Sequence, residues 1–329
     1  MTHDKPESGG PEVGVVTPAF NEEGNLRPLY EAVKAALEGV NVSFELLVVE
    51  NGSSDSSLAV LKQLRAEDPR VQYLRLSRNF GHQGALTAGL AHCRGRAVVT
   101  MDADLQHPPD VLPRMIEKWR EGFDVVIASA AENAYQPMMR RVINRIFYRT
   151  LAALSGLDLQ SGLSDFRLMD RAAVDVLNRL PERARFLRGL ARWIGFRQTS
   201  VAYEIAERHH GESKFTIRQL VRFGIDGVLG FSIAPLRLFL MLGFIVSGIS
   251  LLYALYLVVI KLLYVIFGVG QKLEIGYATL AVGIFFLGGT ILTAIGVLGE
   301  YIARIYEETK GRPSFVAWES SLDDDDGKS

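Results

Sequence analysis

The sequence predicts an α/β domain on a mostly parallel sheet, followed by interfacial helices and a two-helix transmembrane hairpin. Two observations carry this expectation. Over the first 130 residues, short β-branched runs alternate with helical patterns, the rhythm of parallel strands joined by covering helices. Apolar residues then crowd the C-terminal third, which holds two uncharged stretches of membrane-spanning length.

Met1 to Pro11 is polar, with glycine and proline and no apolar core, so 1–11 is expected to be a flexible tail rather than a signal peptide. Strands are expected at Val13 to Thr17, Leu46 to Val49, Val71 to Leu76, Ala97 to Met101 and Val125 to Ala128. Helical patterns lie between them, over about 22–38, 55–67, 82–94 and 109–121. These elements belong to a soluble domain over 12–212. Within it, Arg140, Arg141, Arg145 and Arg149 interleave with Ile143, Ile146, Phe147, Leu151 and Leu154. That pattern predicts an amphipathic basic helix over 138–155, suited to an interface with anionic head groups. A second such stretch is expected within 213–234, joining the soluble domain to the bilayer.

Leu238 to Ile260 runs 23 residues without a charge and Ile275 to Gly299 runs 25, where roughly 20 suffice to cross. A hairpin over 235–304 follows, with Lys261, Gln271, Lys272 and Glu274 in its connector. Arg218, Arg222 and Arg237 precede it, and Arg304, Lys310 and Arg312 follow it. The positive-inside rule then puts both ends, and the domain over 12–212, on the cytoplasmic side of a plasma or inner membrane. Residues 305–329 are expected to form a cytoplasmic tail, with Asp323 to Asp326 solvated. A net charge of -1 carries no nucleic-acid footprint, and the single Cys93 excludes an internal disulfide.

The sharpest chemical signal is Met101-Asp102-Ala103-Asp104-Leu105-Gln106, directly after a buried strand. In such sheets ligands bind beyond the carboxyl ends of the strands. Two carboxylates one residue apart there are suited to Mg²⁺ or Mn²⁺ against a diphosphate, since these hard cations take oxygen ligands and share them with substrate phosphates. Thr17-Pro18-Ala19-Phe20-Asn21-Glu22-Glu23 and Val49-Glu50-Asn51-Gly52-Ser53-Ser54-Asp55 end the first two strands. Each alone reads as turn and cap chemistry. Three such segments in order, each after a strand, point to one ligand site.

These segments, with Ser77-Arg78-Asn79-Phe80-Gly81, Ser164-Asp165-Phe166-Arg167-Leu168, Phe186-Leu187-Arg188-Gly189 and Gly211-Glu212-Ser213-Lys214, resemble those of glycosyltransferase family two. The resemblance is to its polyisoprenyl-phosphate branch, which includes dolichol-phosphate mannose synthase and undecaprenyl-phosphate glucosyl transferases. It runs from Val13 to about Arg312. It implies a nucleotide-binding domain of the glycosyltransferase A type and inverting transfer of one sugar from a nucleotide-sugar, UDP-glucose or GDP-mannose, to a polyisoprenyl phosphate. It puts Pro18, Phe20, Glu22, Asn51, Asp102 and Ala103 at the nucleotide, and Asp102, Asp104 and Gln106 at Mg²⁺ or Mn²⁺. Asp165 would sit beside the reacting sugar, and Arg208, Ser213 and Lys214 at phosphates near the membrane. A homotetramer, as in some relatives, is also implied.

The chain departs from the family pattern at Glu50-Asn51, where many relatives have two aspartates, and at His107, which replaces a common aspartate. Ala130-Ala131 stands where relatives often carry arginine, so Arg140 or Arg141 is expected to supply those phosphate contacts. A lipid monophosphate is largely dianionic at neutral pH and needs no general base. Catalysis is therefore assigned to alignment and cation stabilisation of the leaving diphosphate, with Asp104 and Asp165 as the catalytic carboxylates. Arg192-Trp193 resembles the pair found in processive polysaccharide synthases, but two spans do not easily enclose a polymer path. A non-catalytic nucleotide-sugar sensor is opposed by the intact Asp102 and Asp104, and a lipid-linked sugar translocase by the soluble bulk of the chain.

Overall fold

A computed structural model describes residues 10–130, 165–182, 185–203, 234–268 and 276–322. Those residues fall into two compact units: one holds the sheet together with 312–322, the other holds two long helices. In the first unit β1 (Val13–Ala19), α1 (Glu23–Glu38), β2 (Phe44–Glu50), α2 (Ser57–Glu67), β3 (Val71–Leu76), α3 (Gly81–His92) and β4 (Ala97–Thr100) alternate as the sequence predicts. A short turn of 3₁₀ helix leads into α4 (Leu112–Arg120), followed by β5 (Val125–Ala130), β6 (Arg167–Asp170), α5 (Arg171–Arg179), α6 (Leu187–Trp193) and β7 (Gln198–Tyr203).

The sheet has eight strands in the order β7-β5-β6-β4-β1-β2-β3-β8, β8 being Ala317–Ser320. It is mixed. β1 pairs in parallel with β2 and β4, β2 with β3, and β5 with β7. β6 runs antiparallel to both β4 and β5, and β8 antiparallel to β3. The expectation of a mostly parallel sheet holds for the six strands β1 to β5 and β7, which run in one direction; β6 and β8 run against them.

Hydrophobic patterning explains the layers. Every residue of β2 is buried, as a central strand covered on both faces requires. In α4, Leu112, Met115, Ile116 and Trp119 recur at helical spacing and are all buried. α3 is rich in glycine and alanine and lies close against β1 and β2. A Cβ at Gly89 would come 2.2 Å from Val16 Cγ1, so the helix sits at this depth only because no side chain is there.

A polar clasp ties α1 to the turn before β3. The Tyr30 hydroxyl donates to Asp68 Oδ2 at 2.8 Å, and Arg70 donates to the same carboxylate through Nε and Nη2 at 3.0 and 2.7 Å. Those Arg70 hydrogen bonds, against the opposing pull of burial, hold the Asp68 pKa down at about 2. A depressed carboxylate stabilises the fold above its unfolded pKa near 4, and that stabilisation fades as pH falls toward 2. Asp68→Asn should therefore cost about 2 kcal/mol at pH 7. In acid unfolding curves the gap between the variant and the parent should begin to narrow below about pH 4 and close near pH 2.

The stretch from 305 onward is not only a tail. After the second long helix, residues 312–322 return to the first unit and add β8 to its edge. The Ser321 hydroxyl donates to Gln72 Oε1 at 2.7 Å and accepts from the Tyr73 N–H at 2.8 Å, and Leu322 is buried. Glu319 pairs with Lys62 at 2.7 Å and accepts from the Tyr73 hydroxyl at 3.0 Å.

The second unit comprises α7 (Ala234–Phe267) and α8 (Tyr277–Thr309). Among the described residues one helix is long and apolar enough to cross a membrane, over Phe286–Thr309 within α8. α7 carries a shorter apolar segment, Phe239–Tyr253. Large apolar side chains stand exposed along both, including Phe244, Leu251 and Leu252 on α7 and Ile284, Leu292 and Ile302 on α8. The expected interfacial helix over 138–155, most of the one over 213–234 and residues 269–275 at the hairpin connector lie outside the described residues, while α7 continues through Lys261.

Candidate active site

The loops that leave β1, β2, β3 and β4 gather at the carboxyl edge of the parallel strands. The first two are stitched together. The Asn21 and Glu22 N–H groups donate to the Ser53 and Ser57 hydroxyls at 3.0 and 3.1 Å, and the Glu23 N–H to Asp55 Oδ2 at 3.2 Å. In return Ser54 N–H donates to Asn21 Oδ1 at 2.9 Å and Ser56 N–H to Glu23 Oε2 at 2.8 Å. Asn21, Glu23, Ser53 and Asp55 are thus engaged in holding two loops in register. Burial would raise the Asp55 pKa, but its hydrogen bonds from Ser57 and Glu23 bring it below the usual value.

Of the residues expected at a nucleotide, Pro18 and Glu22 are half-buried and Phe20 is exposed at this edge. Asn51 is buried instead. Its amide donates to Gly81 O at 3.2 Å and accepts from the Phe80 N–H at 2.9 Å, tying the end of β2 to the loop before α3. Gly52 completes that contact: its φ is +73°, and a Cβ there would fall 2.7 Å from the Arg78 carbonyl carbon. Both conformation and space demand glycine at this position.

The loop after β4 presents Asp102 and Asp104, both half-buried, with Ala103 buried between them. Asp104 Oδ1 accepts the Gln106 N–H at 3.1 Å, and Leu105 takes a left-handed φ of 61°. A buried leucine in that region is strained, a feature that concentrates at functional sites. His107 is buried and stacks on Phe166, with ring centroids 5.0 Å apart. Its Nδ1 accepts the Asp102 N–H at 3.0 Å, and burial lowers its pKa, so it supports the loop as a neutral imidazole.

β6 runs antiparallel to β4 with Arg167 opposite Thr100, so the residue two before β6 falls beside the loop that follows β4. That residue is Asp165. It is buried, and its carboxylate is surrounded: Arg188 Nη2 donates to Oδ2, His82 Nε2 lies 3.2 Å from Oδ2, and Arg167 Nη2 lies 3.9 Å from Oδ1. Burial alone would raise the Asp165 pKa. The hydrogen bonds and positive charge of His82 and Arg188 overturn this and hold it far below the carboxylate range. Burial draws the Arg167 pKa down to about 10. His82 Nε2 also stands 3.5 Å from Asp102 Oδ1, which joins the two carboxylates into one cluster.

The structure therefore brings Asp102, Asp104, Gln106 and Asp165 to one edge, with Pro18, Phe20 and Glu22 on the neighbouring loops. Arg140, Arg141, Arg208, Ser213 and Lys214 lie outside the described residues. His82 was missed in the sequence. Its signal was available, since it directly follows Ser77-Arg78-Asn79-Phe80-Gly81 at the end of a parallel strand. Of the arginines near 190, Arg185 donates to the carbonyls of Leu180 and Glu182, Arg197 stacks on Phe123, and Arg188 reaches the site.

Comparison with known proteins adds to this geometry. Residues 14–177 match the family described as glycosyl transferase family 2. An uncharacterized glycosyltransferase of Synechocystis is 38% identical over 93% of this chain and 94% of its own. A prophage-derived bactoprenol glucosyl transferase of Shigella flexneri is 37% identical over 93% of this chain and 97% of its own. The chain belongs to glycosyl transferase family 2. It is a glycosyltransferase, and Asp102, Asp104 and Asp165 all lie within the matched residues. Among solved structures, glucosyl-3-phosphoglycerate synthase from Mycobacterium tuberculosis is 20% identical, with a TM-score of 0.44 over 67% of this chain and 78% of that one.

Proposed function

We propose that this family 2 enzyme transfers one sugar, with inversion, from a nucleotide-sugar to a polyisoprenyl phosphate at a membrane, UDP-glucose being the favoured donor and undecaprenyl phosphate the acceptor. The observation that carries this reading is near full-length similarity to bactoprenol glucosyl transferases, in a chain with an apolar helix of membrane-crossing length. The product is a lipid-phosphate-sugar for cell-envelope glycosylation.

The donor set fits a divalent cation that is shared with substrate. Asp102, Asp104 and Gln106 offer hard oxygens on one strained loop. Among the described residues no three acidic, histidine or cysteine side chains group to hold a metal alone, so the remaining ligands would come from the donor diphosphate. A bound Mg²⁺ or Mn²⁺ would neutralise charge on the departing nucleotide. Pro18, Phe20 and Glu22 then bound the nucleotide side. Asp165 orients the cationic groups beside the sugar rather than taking a proton, because its oxygens already face Arg188, His82 and Arg167. The acceptor phosphate is itself an anionic nucleophile.

Topology supports two crossings. β8 pairs with β3, so the chain leaves the first unit before α7 and rejoins it after α8. A single crossing would strand β8 on the far side of the bilayer from β3. If α8 crosses, α7, whose 34 residues exceed the roughly 20 needed, must bring the chain across as well. Both ends then face the same side, which the flanking arginines mark as cytoplasmic.

The test is a transfer assay with detergent-purified protein, undecaprenyl phosphate, Mg²⁺ or Mn²⁺, and UDP-glucose or GDP-mannose in parallel, the lipid read by mass spectrometry. A hexosyl-phospho-lipid from UDP-glucose is the expected product. Product from GDP-mannose alone would replace the donor, and none from either donor would overturn the reading.

A further inference from the structure

We infer that His82 is a positioning residue: its imidazole stands between the Asp102 and Asp165 carboxylates and holds Asp102 in place for the donor and its cation. Nothing in the family resemblance or in the relatives assigns His82 a role. The inference rests on the reading of Asp102 as a donor-side ligand.

Three observations fix the imidazole. First, its helix is anchored at the first turn from two sides. Gln83 Oε1 accepts the Leu187 N–H at 3.1 Å, which ties α3 to the helix that carries Arg188. Ser314 O would lie 3.2 Å from a Cβ on Gly84, so the C-terminal segment also abuts this turn. Second, Nε2 is 3.2 Å from Asp165 Oδ2 and 3.5 Å from Asp102 Oδ1. The first is hydrogen-bond distance, and the second leaves Asp102 at the outer edge of reach of the same N–H. Asp165 is the rigid side of this arrangement, since it is buried and also holds Arg188.

Third, the other imidazole at Asp102 does not serve the same purpose. His107 Nδ1 accepts the Asp102 N–H and so has no proton there to give to Oδ2, 3.6 Å away. Of the two histidines beside Asp102, His82 is the one that can attract its carboxylate. An outer partner that orients a ligating carboxylate commonly contributes about 10- to 100-fold to metal affinity or activity.

The experiment measures binding to the full-length protein in detergent, with Mn²⁺ and UDP, and Mn²⁺ and GDP in parallel, by calorimetry and by Mn²⁺ paramagnetic resonance. His82→Ala, His82→Gln and Asp102→Asn are compared, each checked for an unchanged unfolding midpoint. His82→Ala is expected to weaken Mn²⁺–nucleotide binding about 10-fold or more, and His82→Gln, which keeps a donor, to recover most of that loss. Unchanged or tighter binding in His82→Ala, with Asp102→Asn impaired, would overturn the role of His82 and leave the donor-site reading standing. Equal losses in His82→Ala and His82→Gln would also overturn it, because a hydrogen-bond donor would then not be what matters. Unchanged binding in Asp102→Asn would remove the donor-site reading itself.

Discussion

Asp104→Ala should lower sugar transfer by about 100- to 1,000-fold, the usual cost of removing one group aimed at charge that develops in the transition state, while leaving the fold intact. The two halves of that expectation have separate causes. Asp104 is half-buried on a loop beyond the sheet, where its Oδ1 accepts the Gln106 N–H at 3.1 Å. Losing such a local bond costs about 1 kcal/mol, small against the core beneath it. The activity loss follows from the proposed function, in which Asp104 and a few other protein oxygens would hold a cation shared with the diphosphate. If Asp104 aligns the cation rather than only binding it, extra Mn²⁺ should restore little. Near-normal turnover of Asp104→Ala at saturating metal would remove Asp104 from the catalytic set. Steady-state transfer rates over a Mn²⁺ titration, beside an unfolding curve, make the measurement.

The elements that were legible in the sequence share a property: each carries its own periodic signal. β1 to β5 are apolar runs, and α1 and α4 bury residues at helical spacing, so local pattern and final environment agree. β6 and β8 have no such signal. Arg167–Asp170 is four residues long with a charge at each end, and Ala317–Ser320 is four residues with Trp318 exposed. Both exist because an existing strand offers them hydrogen bonds, a tertiary cause that no window of sequence contains. The same holds for the site. Asp102 and Asp104 were legible from a strand-end motif. Asp165 was legible only by resemblance, and His82 only as the residue after the Ser77–Gly81 motif, because their meeting depends on β6 lying antiparallel beside β4 and on α3 starting at that same edge. Asn51 shows the converse: a motif position expected at the nucleotide is engaged in holding the turn before α3.

Asp165→Asn separates two roles that activity alone cannot distinguish. Were Asp165 a base or a nucleophile, its removal would abolish transfer and leave stability almost unchanged. As the buried anion of a cluster with Arg167, Arg188 and His82, it has a structural load as well. Taking its charge away leaves a fully buried Arg167 and a largely buried Arg188 without this counter-ion, and breaking such a pair from one side costs about 3–5 kcal/mol. Both readouts should therefore fall together: transfer is lost, and the unfolding midpoint of the variant drops. Adding Arg188→Met should return part of the stability, since one stranded cation is then gone, but none of the activity. The pH dependence follows from the depressed pKa of Asp165. Its stabilisation is complete above the unfolded carboxylate pKa near 4 and is lost only as pH falls through the much lower folded value. From pH 5 upward the stability gap between Asp165→Asn and its parent should thus stay level as far as this group is concerned, and it should narrow in acid. A variant that keeps its parent's midpoint while losing transfer would return Asp165 to the chemical step and release His82 and Arg188 from its hold.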